Sequence, residues 1–278
     1  AGQEDTGRRV HRLMPFTPSH AVVALPFVRT RLVPAAVAIG AMTPDLPLFF
    51  RGMWPDYSTT HDPVWIVPTA MLGLVLLLVW RCVLRPAARE LSPRSIADRL
   101  PVAWDAGFRA GVRETFAGGP VAWLLLFASL ALGVLTHIAW DLLTHEGRLG
   151  VQLLPVLEQQ WGPLPGVKWL QYGSGLFGLI VLGVFGVVWW SRRKTETARR
   201  AFPDAVRIVW WLSLPVALVV AAVIALAVSS AAGTPMSPTA LVYAVLTRVA
   251  AVWAIATVAL AVMVSLRRRR DFRVFPRL

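Results

Sequence analysis

Apolar residues run along this chain in long unbroken stretches, neither alternating nor confined to one helical stripe. Five stretches, roughly 64–83, 120–143, 173–190, 208–228 and 239–265, come close to or exceed the about 20 residues needed to cross the core of a bilayer. A sixth, 32–50, is long enough but carries Pro34, Pro44, Pro47 and Asp45. No period-two pattern of the kind a membrane barrel requires accompanies them. The pattern predicts an all-α polytopic membrane protein with five full transmembrane helices. The N-terminal region 14–50 adds either a re-entrant hairpin or a sixth span. In the hairpin, short helices at 19–28 and 34–44 flank a turn at 29–34 and bring His20 level with Asp45. Ten residues at about 1.5 Å each reach only half-way across a bilayer, so a hairpin needs cover from the other helices.

Composition agrees with this reading. Hydrophobic residues make up 56% of the 278 positions and charged residues 15%, against roughly 45–50% and about 25% in soluble domains. Such apolar content excludes a disordered chain, and the single Cys82 excludes a disulfide scaffold. The net charge of +13 is sorted by position. Segments 84–119, 191–207 and 266–278 carry eighteen Lys and Arg, whereas 51–63, 144–172 and 229–238 carry only Arg51, Arg148 and Lys168. Basic segments stay on the cytoplasmic side, which places the C-terminus inside and 51–63 and 144–172 outside. The basic runs are topology signals. No nucleic-acid recognition motif accompanies them, so nucleic acid is not an expected partner. Residues 1–13 read as a leader or tag-like extension without a signal-peptide core, and 14–278 as a single integral membrane domain.

Ionisable groups are costly inside membrane helices and mark functional sites. The densest cluster is THIAWDLLTH, 136–145, closing the second long span. His137, Asp141 and His145 recur every four residues and share one face. Imidazole and carboxylate together form the ligand set of zinc and similar divalent metals. His137 and His145 stand about 12 Å apart along an ideal helix, so they join one site only if the helix ends near Thr144. Three other motifs fall at the same level: TPSH with His20, TPDLP with Asp45 between two prolines, and TTHD with His61 and Asp62. Taken one at a time, these are ordinary helix-end residues; as a set on one side of the membrane, they point to a metal site. Arg248 lies about nine residues into the last span, too deep to snorkel easily. It reads either as the partner of a buried Asp or as an anchor for an anionic substrate group. Gly133 and Gly178 fit close helix packing.

On these residues the chain resembles a bacterial membrane family, domain of unknown function 4184. The likeness runs from Met14 onward and rests on MPFTPSHAVVALP, IGAMTPDLPLFF, THIAWDLLTHEG and KWLQYGSGLFGL. That family in turn resembles inner-membrane metal-dependent hydrolases. Their pattern is an early His, a PD motif, a His-bearing turn and an H-x-x-x-D helix. By position, the resemblance implies His20, Asp45, His61, His137 and Asp141 as metal ligands, with His145 a further candidate. The hydrolases often show a richer H-x-x-H-S run where this chain has TTHDPVW, which argues against a second metal. The resemblance also favours the hairpin and implies the bacterial plasma membrane as location.

The resulting expectation is a zinc-type hydrolase with its site at the outer membrane boundary. Asp62 or Glu146 would accept a proton, and a lipid-like ester or phosphoester would be the substrate. The rival expectation is a non-catalytic scaffold or carrier. A carrier calls for internal repeats and broken midplane helices, and the chain shows no repeat.

Overall fold

In lipid every backbone polar group must be satisfied within its own segment, and the apolar stretches accordingly wind into helices. The computed structural model describes residues 17–50, 52–198 and 200–274; the 1–13 extension lies outside them. The chain opens with a 3-10 arm, Thr17–Phe27, and turns into α1, Pro34–Met42. It continues through α2 (Pro63–Leu91), α3 (Gly107–Phe116), α4 (Gly119–Thr144), α5 (Gly166–Arg192), α6 (Asp204–Ala231) and α7 (Pro238–Val274). Five of these, α2 and α4 to α7, are long and apolar enough to cross a membrane. The protein is an all-α polytopic membrane protein. Among the described residues, strand pairing is confined to Gln160–Trp161 against Leu164–Pro165, folded around Gly162 at φ +74°.

Two boundaries differ from the hydrophobic pattern. α2 runs on to Leu91 through a widened π-turn at Trp80–Leu84, because the charges on this extension find protein partners. α5 starts at Gly166, earlier than its apolar core. Its first turns carry Lys168, whose Nζ donates to Gln171 Oε1 at 3.1 Å.

Residues 17–50 fold back as a hairpin, and the first arm is 3-10 rather than α-helical. At roughly 2 Å per residue, its 11 residues reach about 22 Å, further than an α-helix of equal length. The second arm, α1, is pressed against α4. A Cβ on Gly40 would lie 2.2 Å from Leu130 O, and one on Gly133 would lie 2.3 Å from Val37 O. Only glycine allows two backbones to approach this closely, the small-residue packing typical of membrane helices. Around this crossing Ala36, Ala70, Leu77, Leu126, Leu130, Val134 and Ile138 form the main apolar core. Gly178 on α5 makes a similar approach to the 3-10 arm, where a Cβ would lie 3.0 Å from Ser19 O.

The far end of α2 is held by charge. Glu90 is fully buried and accepts from Ala201 N (2.9 Å), Phe202 N (3.1 Å), Arg207 Nη1 (3.1 Å) and Arg268 Nη2 (3.3 Å). Arg89 donates to Asp105 Oδ2 at 2.8 Å and to Glu196 O at 2.8 Å. These arginines belong to the basic segments and lock α2, α6 and α7 together. Cys82 is buried nearby. Few residues of α6 are buried, 6% of its most apolar window, as expected of a helix facing lipid.

Candidate metal centre

α4 ends at Thr144, and His145 is already extended (φ −122°, ψ 130°). His137 and Asp141 therefore occupy the last two turns of α4, one above the other on its buried face. Opposite them stands the TPD turn, where Asp45 closes a 3-10 turn between Pro44 and Pro47. His61 arrives from the segment leading into α2. It ends a short helix, Tyr57–Thr60, whose N-cap Asp56 accepts from Thr59 N. Thr60 Oγ1 ties that turn to the TPD turn by donating to Pro44 O at 2.7 Å. Hydrogen bonds to Thr59 and Ser58 hold the Asp56 carboxyl below its ordinary range, as befits a cap.

Asp45, His61, His137 and Asp141 are all buried, and one ligand atom from each lies within 4.8 Å of the others. His61 Nε2 and His137 Nε2 are 3.2 Å apart. Asp141 Oδ2 lies 3.3 Å from the first and 3.4 Å from the second. Asp45 Oδ1 lies 3.8 Å from the first and 3.5 Å from the second. A tetrahedral ion with ligands at about 2.0–2.2 Å sets its ligand atoms roughly 3.3–3.6 Å from one another. The observed separations bracket that range, so the cluster could hold a metal ion.

The hydrogen bonds behind the cluster agree with such a role. His137 Nδ1 is 2.7 Å from Ala41 O, and His61 Nδ1 is 2.8 Å from Tyr57 O. A carbonyl oxygen only accepts, so each Nδ1 carries a proton, and in its neutral form each ring presents the Nε2 lone pair. Two lone pairs and two carboxylates then face one point, an arrangement that a cation relieves. Fixing the outer nitrogen on a carbonyl is also how metal-bound histidines are oriented. Ala41 is placed for this by the glycine crossing, since the Cβ of a residue at 133 would lie 2.6 Å from Ala41 N. Thr17 Oγ1 donates to Asp45 Oδ2 at 2.7 Å, and the Tyr57 hydroxyl donates to Asp141 Oδ2 at 3.3 Å. Burial raises the pKa of Tyr57 above its ordinary value, so it remains a donor.

His20 and His145 flank the four. The His20 ring packs 4.1 Å from that of His137. His145 Nδ1 is 3.4 Å from Asp141 Oδ1, an oxygen that is buried without a hydrogen-bond partner among the described residues. His145 Nε2 meets Gln171 Nε2 at 3.0 Å, and burial holds its pKa below the ordinary value. Both histidines line a cavity of about 550 Å³ that also reaches Asp45 and Asp141.

The remaining expected residues stand elsewhere. Asp62 is exposed and caps the next turn, accepting from Val64 N at 2.9 Å. Glu146 pairs with Lys168 at 3.4 Å. Arg248 is exposed on α7, outside the lining of the cavity. The sequence reading missed Tyr57, Thr17 and Gln171. Tyr57 stands one helical turn before His61, a spacing that could have marked it.

Together these observations describe a helical membrane protein with a buried His/Asp cluster at one end of its bundle. The chain belongs to the family described as Domain of unknown function (DUF4184), whose model matches residues 14–266. No curated protein and no solved structure matches the chain.

Proposed function

We propose that this protein is a metal-dependent hydrolase, of the kind the inner-membrane metal-dependent hydrolases represent, acting on an ester or phosphoester at the membrane boundary. The observation that carries this reading is the convergence of Asp45, His61, His137 and Asp141, with ligand atoms within 4.8 Å of one another and both carboxylates lining a cavity. Two imidazoles and two carboxylates suit zinc. A divalent ion held there, with its shell opened to a fifth position, would lower the pKa of a bound water towards about 7 and polarise the scissile oxygen. The chain supplies the rest. His145, beside Asp141 and lining the cavity, takes the proton from the attacking water and returns it to the leaving oxygen. His20 stacks on His137 and limits the freedom of its ring. Asp62 and Glu146 are already engaged, as a cap and in an ion pair, which favours His145 as proton carrier. Arg248, which does not line the cavity, is left for an anionic group approaching from outside it.

The reading is tested with purified protein and chromogenic carboxyl esters and phosphodiesters. Turnover should vanish on chelation and return when zinc or manganese is added. Turnover that survives exhaustive chelation would remove the metal from the mechanism.

We place the cluster on the outer face of a bacterial plasma membrane and the C-terminus in the cytoplasm, on the eighteen-to-three split of basic residues. Cysteines replacing exposed Gln152 or Thr234 should react with an impermeant maleimide on intact cells; cysteines replacing Arg94 or Thr197 should not. Buried Cys82 contributes little background. The opposite labelling pattern would turn the site towards the cytoplasm.

A further inference from the structure

We propose that the cavity beside the cluster receives one acyl chain of a bilayer lipid, which enters sideways between α4 and α5. The inference rests on the hydrolase reading and names its substrate class: a lipid whose ester or phosphate group comes to rest at His20 and His145.

α4 and α5 run antiparallel along the cavity. They are joined by His145 and Gln171 (3.0 Å), and further along by Trp140 Nε1 donating to Ser174 Oγ at 3.1 Å. From Thr144 the lining continues along α4 to Thr136, and from Gln171 it continues along α5 to Gly178. At 1.5 Å per residue these paths are about 12 and 10 Å long, within two candidate membrane spans. The surface of the cavity is mostly apolar, with Val22, Val23, Leu48, Leu143 and Phe177 in its lining. His20, Asp45, Asp141 and His145 bring polar groups at the cluster into it.

Its mouth faces sideways. Phe177 is 66% exposed and Trp140 39% exposed, both on candidate membrane spans and both lining the cavity. In a bilayer these side chains meet acyl tails. A water-soluble substrate has no use for an apolar slot opening towards lipid, whereas an amphiphile offers a chain to its apolar lining and a polar group to His20 and His145. The volume of about 550 Å³ falls within the roughly 300–1,000 Å³ of ligand pockets.

The test uses the full chain in nanodiscs containing phosphatidylglycerol with a diazirine at the end of one acyl chain. After irradiation, crosslinks should concentrate on Val22, Val23 and Phe177, severalfold above those on lipid-facing Val219 and Val223 of α6. Ala139→Trp, which fills the exposed mouth, should lower groove labelling at least threefold while leaving metal content unchanged. Ile224→Trp on α6 should leave the labelling pattern as it was. A second measurement uses ethyl to octyl p-nitrophenyl phosphodiesters in water. Each methylene buried should raise kcat/KM by roughly fourfold, and Ala139→Trp should flatten the series. Uniform labelling of all lipid-facing helices, or groove labelling unaffected by Ala139→Trp, overturns the inference. A metal-free, inactive protein that still labels in the groove overturns the hydrolase reading alone.

Discussion

Replacing His137 with alanine should strip the purified protein of its metal. The substitution removes one of four ligand atoms. It also breaks the contact between His137 Nδ1 and Ala41 O at 2.7 Å, which orients the imidazole. Loss of a group that merely supports a ligand lowers metal affinity by about 10–100-fold, and loss of a ligand itself should exceed that. Occupancy after dialysis should fall from near one ion per chain to a small fraction. Hydrolysis should fall with it, while the helical circular dichroism spectrum is kept. Asp141→Asn should behave alike, because an amide neutralises the charge that faces both Nε2 atoms. Full metal occupancy in His137→Ala would mean that the ion is held elsewhere.

Gly133→Leu should damage fold and site together. The Cβ alone would lie 2.3 Å from Val37 O and 2.6 Å from Ala41 N, and backbone atoms cannot swing aside as a side chain can. Forcing atoms into a packed core costs about 1–3 kcal/mol or more, and here α1 must move away from α4. The shift carries Ala41 and Asp45 with it and pulls them from His137 and Asp141, so metal affinity should drop alongside the melting temperature. Gly183→Leu is the matched control, since its Cβ would meet nothing within 4 Å and should change neither property. Equal melting temperatures for the two variants would show that the α1–α4 crossing is looser than its geometry indicates.

Much of this architecture is legible along the chain because it depends on local pattern. Five apolar stretches become five helices long enough to span, since length and continuity alone decide that. The four-residue spacing of His137 and Asp141 places both on one face whatever surrounds the helix. Asp45 is legible for a similar reason: prolines on either side leave its backbone few choices. Other features arise only when distant segments meet. The 3-10 winding of Thr17–Phe27 has no signature in its apolar pattern. The acceptors for the imidazole nitrogens are backbone carbonyls of Ala41 and Tyr57, which no residue type announces. Arg89, Arg207 and Arg268 carry the topology signal, and nothing in their spacing reveals that they close around Glu90 and Asp105. Glu146 sits one residue from His145 along the chain yet turns to Lys168, because only the fold decides which neighbour a side chain finds.

Binding of one divalent ion by Asp45, His61, His137 and Asp141 is decided by elemental analysis of the whole chain, purified without chelator or immobilised-metal chromatography. Close to one equivalent of zinc or manganese per chain is expected, reduced to background in His137→Ala. A wild-type protein that carries no divalent metal after growth with ample supply, and takes up none on titration with zinc, would contradict it.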